Sequence, residues 1–354
     1  MKSRPGKSQS ISGKLEIDSQ RRLPVTIEMV AKTAGVSPST VSRILNGTAG
    51  VADVKRQAVN SAIDQLGFIP NPVARGLAGG RTLSIGVVTQ SLDSPFYGAA
   101  LRGIEIEFQK VGYTPLFISG QWNQLEEARC LDLLRARRVD GIIILDGRVD
   151  DADVCSLARN LPVVITGRSL QAPNVVSLHF SNFEGAEQAT QYLIELGHRR
   201  IVFIAGDPAH QDALERQHGY RAALRARGVA IDEELVVPGN FSEESGLRAV
   251  EGLLREGKKF SAIFAANDQM AFGAALALYR HALHIPDDIS LIGFDDLQPS
   301  VYAIPPLTTV HQPSHEMGTL AATAMLQLLH GERPVLSMPS PRLIVRESTA
   351  APSR

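Results

Sequence analysis

From residue 82 to residue 330 the chain alternates short apolar runs with amphipathic stretches, and this alternation restricts the fold more than any other feature. Residues 84–89 (SIGVVT), 114–119, 141–145 (GIIIL), 162–166 and 175–178 read as strands. Helical spacing fills the intervals at 95–111, 125–137 and 154–160. A second series starts at 182–196 and continues through 201–205, 214–227, 242–255, 262–265, 267–281 and 290–294. Strands apolar on both faces, separated by helices, form parallel sheets covered on both sides. Two such series, split near 180–182, predict two doubly wound subdomains. The final elements, 308–311 and 317–330, are read as crossing back to the first. A chain of 354 residues has room for this and for a further small domain.

Open α/β sheets bind ligands outside the carboxyl ends of their strands, and clefts between domains are frequent sites. Here those strand ends carry polar groups. Asp146 and Arg148 follow GIIIL, Arg168 follows VVIT, Asn267 and Asp268 follow AIFAA, and Asp295 and Asp296 follow SLIGF. Arg216 opens a helix in ERQHGYRAAL. Carboxylates that accept from neighbouring hydroxyls, a guanidinium fork and an aromatic face suit a polyhydroxylated ligand. Several of these residues have a second reading. Arg168 reaches either the pocket or the surface. Arg148 touches ligand or pairs with Asp146 or Asp150. Trp122 lines the cleft or packs as a surface tryptophan. Asp268 is read as capping a helix or tying a turn.

Residues 26–47, TIEMVAKTAGVSPSTVSRILNG, have another character. Thr26 is a good N-cap, and Ile27, Val30 and Ala31 recur at helical spacing. Ala34-Gly35-Val36 makes a turn, with Gly35 where left-handed backbone is cheapest. Ser37 caps a second helix and Pro38 takes its first position, where a missing N–H costs nothing. Val41, Ile44 and Leu45 face inward, which leaves Pro38, Ser39, Thr40, Ser42 and Arg43 outside. In a helix-turn-helix these are the positions that meet the major groove. A third helix is expected over about 53–66, with Val54, Ala58, Ala62, Ile63 and Leu66 on its inner face. Its start is weakly marked, because Ala52 stands at the cap.

The string T-I-x-x-V-A-x-x-A-G-V-S-x-x-T-V-S-R-x-L-N resembles the DNA-binding head of the lactose-repressor/galactose-repressor (LacI/GalR) family. The resemblance extends from about Val25 to Ser348. It implies a small all-α helix-turn-helix head, joined by a hinge helix to a two-lobed, doubly wound body like the periplasmic sugar-binding proteins. The expected boundaries are a disordered tail at 1–23, the head at 24–69 and the hinge at 70–81. The first lobe takes 82–181 and 312–348, and the second takes 182–311. In the hinge, Asn71 caps and Pro72 opens a short helix that is weak by itself. The family folds this segment on operator DNA and wedges a leucine into the minor groove; Leu77 matches that position. The DNA-facing set is completed by Thr26, Ser37, Asn46, Val73 and Ala74. For the effector site, the match falls on Arg216, Asn267 and Asp295. It adds Phe96 and Tyr97, from DSPFYG, as a wall in the first lobe.

The resemblance implies an operator-binding repressor of carbohydrate genes, dimeric on a pseudo-palindromic site, controlled by a small sugar-like effector. The alternatives are a transport-type sugar-binding protein and a corepressor-dependent regulator of nucleotide or central metabolism. Charge distribution agrees with a nucleic-acid head: residues 1–81 hold 12 Lys+Arg against 5 Asp+Glu, while 82–354 hold 24 against 32. The ending VRESTAAPSR lacks leucine heptads, which favours a dimer over the family's tetramers. No P-loop, GxGxxG after the first strand, GxSxG, HExxH or close Cys/His constellation is present, so an enzyme is not expected, nor a cofactor or metal. Cys130 and Cys155 are read as reduced thiols and His198 as a structural turn residue. Without an apolar leader or an 18-residue apolar run, a cytoplasmic location is expected.

Overall fold

The computed structural model describes residues 25–45, 50–68 and 81–353, in two compact units that divide between residues 80 and 81. In the first unit α1 (Ile27–Ala34) is capped by Thr26, whose hydroxyl accepts from the Met29 N–H at 3.4 Å. Gly35 ends it at φ 64°, on backbone that L side chains rarely adopt. Helix α2 (Pro38–Leu45) starts from Ser37, whose Oγ accepts from Thr40 N at 3.2 Å. Helix α3 (Asp53–Leu66) has no side-chain cap at Ala52. Val30, Ala31, Val41, Val59 and Ala62 form the small core. The inner face expected for α3 is corrected at its start: Val54 is 78 % exposed and Val59 takes the buried place. A stripe that begins one turn later suits a helix whose first turn projects beyond the two it packs on.

The second unit contains two sheets. The first runs β2 (Thr114–Ser119), β1 (Ser84–Thr89), β3 (Gly141–Ile144), β4 (Val163–Thr166), β5 (Val175–Leu178), all parallel. Side chains alternate across it, as strand geometry requires. Ile85, Val87, Ile143, Leu145 and Val164 pack under α4 (Pro95–Lys110), on the core side that also takes Met317, Ala321 and Met325. Val88, Ile142, Ile144, Val163 and Ile165 pack on the other face under α5 (Gln124–Ala136) and α6 (Asp151–Ala158).

The second sheet contains β6 (Ile201–Ile204), β7 (Val236–Val237), β8 (Ala262–Ala265), β9 (Ser290–Asp295), β10 (Thr308–His311) and β11 (Arg342–Ile344). Its order is β11-β10-β9-β8-β6-β7, parallel except for β11. Helices α7 (Asn182–Glu195), α8 (Gln211–Ala226), α9 (Glu243–Arg255) and α10 (Asp268–Arg280) belong to this lobe, with the short α11 (Pro299–Tyr302) after β9. Phe203, Tyr220, Phe264 and Phe294 are its largest buried side chains.

Two expectations for the end of the chain are corrected. Residues 308–311 do not return to the first sheet; they extend the second, in parallel register with β9. Only the next helix, α12 (Ser314–Leu329), returns, and it lies against α4. A Cβ at Gly103 would overlap the His315 carbonyl, and one at Gly318 the Ala100 carbonyl, so glycine sets this close approach. The tail placed wholly in the first lobe then leaves it again. Strand β11 pairs antiparallel with β10, and Ser348 accepts from Thr308 N at 2.8 Å and donates to Leu291 O at 2.6 Å. An unpaired β10 edge offers backbone donors and acceptors that this short strand satisfies.

Candidate functional site

Between the two sheets lies a cavity of about 700 Å³. All eight side chains expected for an effector site, Phe96, Tyr97, Asp146, Arg148, Arg168, Arg216, Asn267 and Asp295, contribute to its lining. Those of the first lobe stand just after strands or at the start of α4. Those of the second stand in α8 or at the ends of β8 and β9. The cavity therefore occupies the carboxyl edge of both sheets.

The first-lobe wall is built on Asp146, at φ 57°. Tyr97 Oη donates to its Oδ2 at 2.7 Å, and Thr166 Oγ1 donates to its Oδ1 at 3.0 Å. Burial raises the Asp146 pKa, which those hydrogen bonds oppose, and burial pushes Tyr97 well up. Phe96 stands edge-on to Tyr97 at 5.2 Å, and Tyr97 to Trp122 at 5.9 Å. Of the two readings of Trp122, the structure takes the first: it lines the cleft.

In the second lobe Arg216 is 4 % exposed and its guanidinium is heavily engaged. Nε donates to Asn182 Oδ1 at 2.8 Å, Nη1 to Ala266 O at 2.5 Å and Nη2 to Gln312 Oε1 at 2.8 Å. Nη1 also lies 3.4 Å from Asp295 Oδ1, and the group stacks over Phe294 at 3.8 Å. Asp295 is held at φ 110°, and burial raises its pKa well above the usual range despite Arg216. Asn267 caps α10, accepting from Met270 N at 2.9 Å, while its Nδ2 donates to Phe241 O at 2.9 Å. Asp268 points away from the cavity, as expected of a tie: it accepts from Leu297 N, Ser300 Oγ and Thr309 Oγ1.

Arg148 differs from expectation in its partner, and Arg168 takes the pocket side of its two readings. Arg148 Nη2 meets Asp207 Oδ2 of the opposite lobe at 2.7 Å, rather than Asp146, which already accepts from Tyr97 and Thr166, or Asp150, which accepts from Gln124; its backbone N–H donates to the buried Glu127 carboxylate at 2.7 Å. Arg168 lines the cavity, but its guanidinium donates to Gly147 O and Val149 O and pairs with Asp151 at 3.2 Å. It thereby ties down the loop that carries Asp146 and Arg148.

Among the lining residues that escaped the sequence reading are His210, Asp212, Phe241 and Gln269. His210 and Asp212 flank the start of α8, six and four residues before Arg216, and that spacing was the available signal. His198, read as structural, is buried and bonded to Ser261 Oγ, Ser290 Oγ and Ala350 O, and it is not among the residues that line the cavity.

In the head, Thr26, Ser37, Pro38, Ser39 and Arg43 are exposed, while Thr40 and Ser42 are half-buried. Ser37 Oγ lies 2.9 Å from both Ser39 Oγ and Thr40 Oγ1, so one capping hydroxyl organises the first turn of α2. Asn46, Asn71, Val73, Ala74 and Leu77 lie outside the described residues.

A helix-turn-helix head together with a two-lobed body that encloses a polar cleft defines a ligand-responsive DNA-binding regulator. Residues 26–71 match the family described as "Bacterial regulatory proteins, lacI family". Residues 82–342 match "Periplasmic binding proteins and sugar binding domain of LacI family". The regulator CelR of Thermobifida fusca is 37 % identical over 339 residues, covering 93 % of this chain and 99 % of its own. The lac repressor dimer bound to operator and the anti-inducer ONPF superposes with TM-score 0.83 at 32 % identity, over 93 % of this chain and 100 % of that one. The CelR–cellobiose complex gives 0.68 at 34 % identity, over 92 % and 99 %. The chain belongs to the LacI family and is a DNA-binding transcriptional regulator. No described helix is long and apolar enough to cross a membrane.

Proposed function

We propose that this regulator represses carbohydrate-utilisation genes and that a sugar-like effector bound between the lobes controls its operator affinity. The observation that carries the reading is the composition of the cleft. Asp146 and Asp295 offer carboxylate acceptors from opposite lobes, Arg216 stands beside Asp295, and Phe96, Tyr97, Trp122 and Phe241 supply aromatic faces. This is the chemistry that recognises a polyol ring: paired acceptors for its hydroxyls and apolar faces for its C–H surface. The CelR–cellobiose complex supports the same ligand class.

The operator is read by a homodimer. One helix-turn-helix covers one half-site. Two copies meet through the second lobe, where Tyr279, Tyr302 and Ile304 are 80, 74 and 97 % exposed. Such large apolar side chains in solvent favour burial against a partner. In each head Pro38, Ser39, Thr40, Ser42 and Arg43 address the major groove, with Thr26, Ser37 and Asn46 beside them. Asn71, Val73, Ala74 and Leu77 form the minor-groove contact, Leu77 as the wedge.

The test is a gel-shift on the DNA upstream of the chain's own coding sequence, with and without a panel of mono- and disaccharides. A retarded complex whose affinity changes with one saccharide is expected. A retarded complex indifferent to every saccharide overturns the sugar reading while leaving the DNA reading intact.

A further inference from the structure

Three guanidiniums reach the cleft, and protein groups engage each of them. Arg148 is held by Asp207, Arg168 by two carbonyls and Asp151, and Arg216 by Asn182, Ala266, Gln312 and Asp295. The Asp212 carboxyl presents the opposite picture. Asp212, in the first turn of α8, lines the cavity, and its Oδ1 is buried without a hydrogen-bond partner. A buried acceptor in that condition costs free energy until a donor reaches it. Arg148 Nε is likewise buried without a hydrogen-bond partner, but each guanidinium is already paired with a carboxylate, Arg148 with Asp207, Arg168 with Asp151 and Arg216 with Asp295, whereas Asp212 makes no ion pair among the described residues; no guanidinium charge is left over for an anion.

We propose that Asp212 is a specificity-determining contact, which accepts from a hydroxyl of an uncharged saccharide and sets the cleft against phosphorylated sugars. The inference rests on the cleft being the effector site and goes further by fixing the ligand's charge. The electrostatics agree. Burial, reinforced by the charge of Asp146, pushes the Asp212 carboxyl up to about 8, while Arg216 opposes the rise. The groups around it are Asp146 and Asp295 from the sheet ends and Glu215 and Arg216 from its own helix, so carboxylates outnumber the one guanidinium. A hydroxyl donated to Asp212 favours its ionised form, and binding then releases a proton near neutral pH. A phosphate placed there disfavours that form and retains the proton.

The experiment uses the full chain and matched probes: glucose, galactose and cellobiose against glucose 6-phosphate and galactose 6-phosphate. Thermal shift finds the binders, and calorimetry in two buffers of different ionisation heat counts the protons. Binding confined to the uncharged members, with proton release at pH 7, is expected. Asp212→Asn keeps the shape and should weaken that binding by about tenfold or more, with the proton release gone. Should this variant fail to fold, the proton count of the unaltered chain decides. A phosphorylated sugar that binds as tightly as its parent overturns the proposal, as does unchanged saccharide affinity in folded Asp212→Asn. If no saccharide of either charge shifts the melting curve, the sugar reading itself is overturned, and this inference with it.

Discussion

The Trp122 ring of the first lobe lies 3.6 Å, centroid to centroid, from the His210 ring of the second, at 41° between planes. His210 in turn lies 5.7 Å from Phe241, and Arg148 reaches Asp207 from the same side as Trp122. The lobes are thus in direct contact at the edge of the cleft. Burial lowers the His210 pKa to about 4, so the ring is neutral at pH 7 and packs as an apolar surface.

These contacts are unequal, and their removal should show it. The Arg148–Asp207 pair is about one-third exposed on both sides, so it is worth at most about 1 kcal/mol. The ring pair adds about 0.5–1.5 kcal/mol beyond the area it buries. Trp122→Ala should therefore expand the ligand-free protein more than Arg148→Ala, read as radius of gyration by small-angle scattering. Identical profiles for both variants and the unaltered chain would show that closure is held elsewhere.

Arg216→Ala should abolish the effector response. Its guanidinium joins Asp295 to Asn182 and Gln312, which stand where the chain enters α7 and leaves β10, two of the three passages between lobes. Removing one partner of a buried ion pair costs about 3–5 kcal/mol, so circular dichroism must first show a folded variant. A folded variant that still releases DNA at ordinary effector concentrations would remove Arg216 from the site.

Asp212 should give the stability curve an unusual slope. Its folded pKa, about 8, lies above the model-compound value of 3.8. The folded state holds a proton that the unfolded state has lost, so this contribution is fully present below about pH 4. It declines as pH rises through 8. Asp212→Asn lacks the ionisation, and its melting temperature should fall less than that of the unaltered chain between pH 5 and 8, all other groups being shared. Parallel curves would mean that the carboxyl titrates as an ordinary aspartate.

Arg43 is exposed near the end of α2 and is long enough to reach a guanine edge. Arg43→Ala should cost about 1–3 kcal/mol of operator affinity and relax preference at one base pair. Equal weakening of operator and unrelated DNA would identify a phosphate contact instead.

The regular parts of this fold are legible in the sequence because periodicity reports burial. GIIIL and SLIGF can only be strands covered on both faces, and they are. Polar residues at strand ends converge on the cleft because strand ends converge, so Asp146, Asn267 and Asp295 could be found without coordinates. What stayed hidden depends on pairing across the lobes. Nothing in the local pattern around Arg148 indicates Asp207, 59 residues away. Strand β11 carries only three residues, too few for a period, and is defined by the β10 edge it covers. Asp212 looks like an ordinary acidic residue in a first helical turn until its neighbours are placed around it.

The late return of α12 to α4 has a consequence during synthesis. When residue 178 has left the ribosome, all five strands of the first sheet exist, yet the side that needs Met317, Ala321 and Met325 is still open. More than a hundred residues of the second lobe must be translated before that helix emerges. Through this interval α4 carries an uncovered stripe around Ala100 and Gly103, a surface that chaperones recognise and aggregation exploits. The lobe that is encoded first is the one completed last.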